Sequence, residues 1–510
     1  MLRNVLLAFS LLIPGVARAD WQEASSKHFV VYSNDTPEHV RAFTTRLERF
    51  DKAIRVFHLA PEDNRGPSAR VTVFVVGDVG EIEKLSGING IAGFYEPRAS
   101  GSVAFTPRRS GAGADYGLNS QAILFHEYTH HWMLTNWSDA AFPPWFVEGF
   151  AELHATAAMR NDGSVVFGAV PLYRAYTVDN TSLLPAEVLV RPNPGHLDPM
   201  QRDALYSRGW LLTNYLMFDP ARRAQLAAYI SAINGGKSAK EAAALLGSTA
   251  GLDGRLNAYG TRKQWPLVVI PADKLPIGDV AVRPLSPGEA AIMPARIASA
   301  AGVDKARAAR VVALARTLAA PYPHDAAVQN ELAEAEYDAE NYAASEAAAD
   351  RAIAADPKSV HALVYKGMAE AAAAKKDKVT DPARWQAIRH WFLAANKVDT
   401  ESPEPLIEFY DSFAAAGQTP SKNAEIGLLY AYALAPYDGD LRMRAGRVYL
   451  QQGKIPQARI AIGPVAYNLD EAGKAEVAQK VLAALDSDGA AAALKVLDDA
   501  AKPKDDAKKS

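Results

Sequence analysis

His126-Glu127-Tyr128-Thr129-His130 forms an HExxH pattern in the first half of the chain. In a helix, residues four apart project from the same face, so both imidazoles can reach one metal ion. Glu127 lies next to that face, where its carboxylate is placed to act as a general base. The flanking segments 122–125 and 132–134 are apolar on most sides of the helix, which predicts a buried helix from about residue 119 to 136. Buried histidine and glutamate require partners.

A second stretch supplies further carboxylates: Trp-Phe-Val-Glu-Gly-Phe-Ala-Glu at 145–152, within a helix predicted from 144 to 158. The 17 residues between His130 and Glu148 leave room for a loop and an antiparallel helix. A catalytic zinc takes three protein ligands and keeps one position for water, and two imidazoles with one carboxylate form such a set. The sequence therefore predicts a Zn²⁺ site whose ligands are His126, His130 and Glu148.

Glu152 follows Glu148 by four residues and faces the same way. It is predicted to accept a hydrogen from a ligand histidine and so fix the tautomer of that ring; the alternative is an exposed acid on a helix. His131 and His154 are predicted to lie off the metal-facing side.

The two stretches together resemble the gluzincin clan of zinc metallopeptidases, in which HExxH is joined by a downstream glutamate. The resemblance implies an α+β catalytic domain with a small mixed sheet and a helical lobe. Tyr206-Ser207-Arg208-Gly209 is similar to the Y-x-K-G segment that carries an oxyanion-stabilising tyrosine in gluzincin aminopeptidases, and the resemblance gives that role to Tyr206. Tyr173 and Tyr176 are weaker alternatives.

One departure concerns substrate binding. No segment similar to the G-A-M-E-N motif, which binds a free amine in gluzincin aminopeptidases, is present in the sequence. Residues 101–106 are predicted to form an edge strand in its place, and an edge strand can pair with an extended peptide. Endopeptidase and exopeptidase activities therefore both remain open.

Composition limits the other classes of function. The 510 residues carry 55 basic and 58 acidic side chains, so no large positive field is available for nucleic acid. Residues 1–19 combine Arg3, an apolar run of about twelve residues and Ala-Arg-Ala, which predicts a cleaved signal peptide and a periplasmic or secreted protein. The alternative is a membrane anchor, which needs about twenty apolar residues. The absence of cysteine excludes disulfides and a thiolate zinc site.

The chain beyond the zinc motifs suggests further domains. Prolines 34 apart (Pro323 and Pro357) and 33 apart (Pro403 and Pro436) in an alanine-rich region indicate tetratricopeptide-like helix pairs; an alanine-rich array without a strict repeat is the alternative. The predicted organisation is a signal peptide (1–19), an α/β layer (20–110), a helical zinc-binding lobe (111–264), a proline-rich linker (265–290), an all-α tetratricopeptide-like array (291–490) and a disordered tail (491–510).

The arrangement as a whole resembles a bacterial peptidase MA-like family. It implies zinc-dependent hydrolysis of a peptide or protein substrate, with Glu127 as general base, no nucleic-acid partner and no membrane span after signal cleavage. A protein partner bound through the helical repeats is a further expectation. Two alternatives stay open, namely an interaction scaffold with an inactive peptidase-like domain, and a zinc amidase or deacetylase acting on a cell-wall component.

Overall fold

The computed structural model describes residues 21–502 except 90, 109–119, 175–176, 178–181, 192–193, 235–236, 249–250 and 470. The predicted signal peptide, Tyr176 and the last eight residues lie outside this part of the chain. Among the described residues, no helix is both long enough and apolar enough to cross a membrane. The fold is mixed α+β, with a sheet near the N-terminus and a helical C-terminal region.

In the described residues, nine strands form two sheets. The larger sheet has the strand order β4-β5-β3-β2-β1-β9. Strands β5, β3 and β2 run parallel to one another, whereas the pairings β4–β5, β2–β1 and β1–β9 are antiparallel. The smaller sheet has the order β6-β7-β8. The strands are β1 (Gln22–Ser25), β2 (Phe29–Ser33), β3 (Val71–Val76), β4 (Phe94–Glu96), β5 (Val103–Pro107), β6 (Ala158–Met159), β7 (Val165–Phe167), β8 (Val268–Ile270) and β9 (Ala281–Pro284).

Ten helices with described bounds accompany the sheets. They are α1 (Pro37–His58), α2 (Val79–Ser86), α3 (Ser120–Asn136), α4 (Pro144–Ala155), α5 (Ala186–Leu189), α6 (Pro199–Met217), α7 (Pro220–Asn234), α8 (Ala239–Ala243), α9 (Leu252–Gly260) and α10 (Pro287–Ala300). Short 3-10 turns lie at Pro67–Ala69, Leu172–Arg174, Ala244–Leu246 and Ala272–Lys274. Thr36 begins α1 by accepting a hydrogen bond from the His39 amide, with Pro37 in the first turn.

The larger sheet is covered on both faces because its strands alternate between two cores. Val31 and Val73 pack into the core that contains α1, α3 and α4. Their neighbours Tyr32 and Phe74 point to the opposite face, where they meet Met293 of α10. The sheet thus holds α3 and α4 from one side, and α10 seals its other side.

Eleven further helices follow in the described part of the chain and pack on one another in succession. They are α11 (Lys305–Ala319), α12 (Ala326–Asp338), α13 (Tyr342–Ala355), α14 (Val360–Lys376), α15 (Pro382–Val398), α16 (Glu404–Ala415), α17 (Lys422–Leu434), α18 (Gly439–Gln451), α19 (Ile455–Ala466), α20 (Ala472–Ser487) and α21 (Ala490–Ala501). We call α11–α21 the helical array. The expected helical C-terminal region is confirmed.

Three sequence predictions need correction. The segment 265–290 is not a linker, because β9 pairs with β1 in the larger sheet and β8 pairs with β7 in the smaller one. Residues 490–501 form α21 rather than a disordered tail, since Ala493 and Leu497 lie on one face and pack into the core of the array. The helix at 144 ends at Ala155, because strand β6 begins at Ala158.

Candidate metal centre

Helix α3 presents His126 and His130 one turn apart, and their Nε2 atoms lie 3.0 Å from each other. The helix is buried on most of its surface, and the side chains of His126 and His130 are only 12% and 14% exposed. Glu148 lies in the first half of α4. This helix begins after the turn from α3, with Pro143 as its N-cap and Pro144 in its first turn. Its Oε2 atom lies 3.3 Å from Nε2 of His126 and 3.5 Å from Nε2 of His130.

These three separations match the donor set of a tetrahedral zinc ion. Ligands 2.0–2.1 Å from an ion and separated by a tetrahedral angle stand roughly 3.3 Å from one another. Among the described residues, this is the one group of three or more histidines and carboxylates whose ligand atoms converge closely enough to hold a metal. The residues present therefore fit zinc in donor chemistry and in spacing.

The charges around Glu148 and His126 also favour a bound cation. Glu148 is buried, and its Oε2 atom has no hydrogen-bond donor. Burial works to raise the pKa of Glu148, but His130 and His126 outweigh it and hold that pKa well below its usual value. Burial works to lower the pKa of His126, and the nearby Glu148 and Glu152 carboxylates raise it overall. A buried carboxylate that lacks a donor is the environment that a cation would complete.

Glu152 lies one turn beyond Glu148 on α4, with its Oε1 atom 3.6 Å from Nδ1 of His126. Tyr173 donates its hydroxyl hydrogen to the Oε2 atom of Glu152 across 2.6 Å, and Arg174 reaches the Oε1 atom at 3.1 Å. Burial and the Glu152 charge raise the pKa of Tyr173, so the phenol stays protonated and keeps donating. The hydroxyl of Tyr173 is therefore occupied by its hydrogen bond to Glu152.

Arg174 is a member of the site that sequence reasoning missed. Its guanidinium joins Glu152 to Asp203 of α6 and lies over the ring of Tyr206, 4.7 Å from the centroid. No local pattern marks this arginine, because its three partners come from α4 and α6. Its position behind Glu152 ties the carboxylate to two helices at once.

Tyr206 stacks on the imidazole of His126, with ring centroids 5.9 Å apart and planes at 28°. A close contact between α4 and α6 brings it there. A Cβ atom on Gly149 would lie 2.2 Å from the carbonyl oxygen of Gly209, and one on Gly209 would lie 2.5 Å from the carbonyl oxygen of Trp145. Only glycine at both positions lets the two helices approach this closely, and Tyr206 lies one turn before Gly209.

A cavity of 310 Å³ opens beside the metal centre, and Glu127, His130 and Glu148 are part of its wall. Tyr95 of β4 lies on the same wall. Burial is the main cause that raises the pKa of Tyr95, and the Glu127 carboxylate adds to it. Glu127 thus lines an open space next to the candidate ligands.

Strand β4 forms an edge of the larger sheet, and the sequence prediction for residues 101–106 is wrong on this point. Those residues overlap β5, which has β3 on one side and β4 on the other. Of the two terminal strands, β4 and β9, it is β4 whose Tyr95 and Glu96 line the cavity.

Two other histidines lie off the metal face, as predicted. The Nδ1 atom of His131 is 2.6 Å from the hydroxyl of Tyr95, and burial lowers the pKa of His131 to about 3. The Nε2 atom of His154 is 2.9 Å from Nε2 of His58.

The fold and the site define an α+β protein that carries a buried His-His-Glu group able to hold a metal ion. No protein-family model matches the chain. A search of curated proteins likewise finds no match.

Proposed function

We propose that this chain is a zinc-dependent metallopeptidase of the gluzincin type, with His126, His130 and Glu148 as ligands. The observation that carries the proposal is that three ligand atoms lie 3.0–3.5 Å from one another. One of them is the buried Oε2 atom of Glu148, which has no hydrogen-bond donor. A metal at this point would lie at the wall of a cavity that can admit a substrate. The site thus combines a ligand set, an adjacent base and access.

Bound there, zinc would lower the pKa of a water toward about 7 and polarise a substrate carbonyl. Glu127 takes a proton from the attacking water, since it lies on the cavity wall next to His130 and Glu148. Tyr206, stacked on His126, is the proposed donor to the oxyanion. Glu152 holds His126 in orientation, and Arg174 and Tyr173 hold Glu152.

The edge strand β4 provides the proposed contact with the substrate backbone. Its outer side has no strand partner among the described residues, and its residues border the cavity. An extended peptide added there would form main-chain hydrogen bonds and run past the metal centre. We therefore propose a peptide or protein substrate, in keeping with the predicted export of the chain.

The experiment is a peptide-library digest by the purified protein, with its zinc content measured in parallel. We expect about one zinc per chain, and hydrolysis that a chelator stops and added zinc restores. Glu127→Gln should retain zinc and lose about 10²–10⁴-fold in rate, because it removes only the base. The matched control is Glu38→Gln on the exposed start of α1, which should behave like the wild type.

Two results would overturn the proposal. Full hydrolysis by Glu127→Gln would remove the base from the mechanism. Absence of zinc in protein prepared with zinc present would favour the interaction scaffold, which has no use for a buried His-His-Glu group. Stoichiometric zinc without hydrolysis of any peptide would direct the search to amide bonds in cell-wall components.

A further inference from the structure

The cavity beside the metal centre lies between two parts of the chain that are far apart in sequence. On one side are Met133, Leu134 and Trp137, at and just beyond the end of α3. On the other side are Tyr437, Val465 and Tyr467 of the helical array. The array therefore supplies a wall of the same cavity that contains Glu127 and two of the candidate ligands. A volume of 310 Å³ lies at the low end of the range of about 300–1,000 Å³ that is usual for ligand pockets.

Specific contacts hold this wall in place. The ring of Tyr437 lies 4.4 Å, centroid to centroid, from the ring of His131 in α3. The amide of Ala99 donates to Asp438 across 2.8 Å. Arg442 donates to the carbonyl oxygen of Ser138, in the turn between α3 and α4, across 2.9 Å. The array is thus fastened to the same helix that carries the HExxH pattern.

The lining of the cavity indicates what it accepts. Away from the metal centre, most side chains on the wall are apolar or aromatic. Arg442 is the one arginine among the lining residues. Its guanidinium is buried and donates hydrogen bonds to carbonyl oxygens and to the hydroxyl of Tyr432. Glu96 and Glu471 add carboxylates to the wall, and their ion-pair partners Arg98 and Lys474 are not among the lining residues. An anionic group entering the cavity would therefore meet like charges.

We propose that this cavity receives a large apolar side chain of the substrate next to the cleaved bond, and that Tyr467 of the helical array is a residue that determines this specificity. The proposal rests on the proposed hydrolytic function, and it gives the array a role in substrate choice. Apolar burial against both walls favours such a side chain over alanine, and the carboxylates disfavour aspartate and glutamate.

Tyr467 is the array residue best suited to a test. It follows the last turn of α19 and is only partly buried. Val465 is buried in the core of the array, and Tyr437 is buried against His131, so truncating either would disturb the fold. Tyr467 lines the cavity, and burial raises the pKa of its phenol, which stays neutral.

The experiment compares two peptides that differ only in phenylalanine or alanine next to the cleaved bond. Cleavage is measured as kcat/KM for each peptide, and binding without turnover is measured by calorimetry in the zinc-loaded Glu127→Gln protein. We expect the phenylalanine peptide to be preferred by about tenfold or more in both measurements. Tyr467→Ala should remove most of that preference, and Tyr467→Phe should keep it.

The matched control is Tyr430→Ala, the same change at an exposed tyrosine of α17 that is not part of the cavity wall. It should leave the phenylalanine preference and the zinc content unchanged. Equal preference for the two peptides in the wild type, or an unchanged preference in Tyr467→Ala, would overturn the inference. If the preference appears in binding while no peptide is hydrolysed, the cavity assignment stands and the proposed hydrolysis fails.

Discussion

Two pairs of histidines, one on α3 and the other joining α1 to α4, have nearly the same distance between their Nε2 atoms, yet their surroundings differ. In the metal centre, the Nε2 atoms of His126 and His130 are 3.0 Å apart and face the carboxylate of Glu148. In the second pair, the Nε2 atoms of His58 and His154 are 2.9 Å apart. Aromatic rings surround that pair, including those of Trp132 and Phe150 in the same core. A short distance between imidazoles is therefore no sign of a metal site by itself.

His58 and His154, which we call the aromatic pair, are joined by one N–H···N hydrogen bond. His154 Nδ1 lies 2.7 Å from the carbonyl oxygen of Phe150, which can only accept, so Nδ1 carries the hydrogen. The Nε2 atom of His154 is then an acceptor, and His58 donates to it. Burial lowers the pKa of His154 to about 4 and that of His58 well below its usual value, so both rings stay neutral.

The metal centre is arranged in the opposite sense. Carboxylates of Glu148 and Glu152 raise the pKa of His126 against the effect of burial, and Glu148 is left with an oxygen that has no donor. His58 and His154 are thus held in the neutral form. His126 and His130 instead lie beside buried carboxylates, whose negative charge a cation would compensate. The difference lies in the carboxylates rather than in the histidines.

The largest effect should come from removing the carboxylate that distinguishes the two pairs. Glu148→Ala should reduce bound zinc from about one to less than a tenth per chain, since losing a ligand costs more than the 10–100-fold lost with an outer partner. The matched variant is His154→Asn, which changes the other pair and should retain zinc. Metal analysis after dialysis measures both. Equal zinc loss in the two variants would contradict the assignment.

Acid should act on the aromatic pair and on His131 over the same pH range, and the sign follows from their lowered pKa values. A histidine with a folded pKa of about 4 and an unfolded value near 6.5 binds fewer protons when folded. The free energy of unfolding is therefore unaffected by this histidine above pH 6.5. It decreases as the pH falls toward 4, by about 3 kcal/mol for His154. The raised pKa of His126 acts in the opposite sense, above pH 6.5.

Urea unfolding of the metal-free protein at a series of pH values checks this. We expect the free energy of unfolding to fall from pH 6.5 to pH 4. His154→Phe should reduce the slope in this window while His131 still contributes to it. The stability of this variant at neutral pH should be lower than that of the wild type because His58 loses its acceptor. A variant with the full wild-type slope would show that the pair does not titrate as described.

The convergence of the candidate ligands could be predicted because its signals are local. The helical period places His126 and His130 on one face, and the spacing to Glu148 leaves room for a turn and a second helix. The structure brings all three together and places Glu152 beside His126. Such patterns depend on a few neighbouring turns and need no knowledge of the rest of the chain.

Features built from distant segments were missed. Strands β8 and β9 are only three and four residues long, and the prolines around them resemble a linker until their pairing with β7 and β1 is known. Arg174 has the same character, since its partners lie on α4 and α6. The cavity wall formed by Tyr437 and Tyr467 depends on how the helical array folds back, which no local period encodes.

The smallest of these effects should come from the outer carboxylate of the metal centre. Glu152→Gln keeps the size of the side chain and removes its charge, so zinc affinity should fall by about 10–100-fold while the ligands remain. Competition with a zinc indicator measures this loss, and Tyr173→Phe, which removes one donor to Glu152, should weaken binding less. Unchanged affinity in Glu152→Gln would mean that this carboxylate serves only to hold Arg174. The contrast between the two histidine pairs would then rest on Glu148 alone.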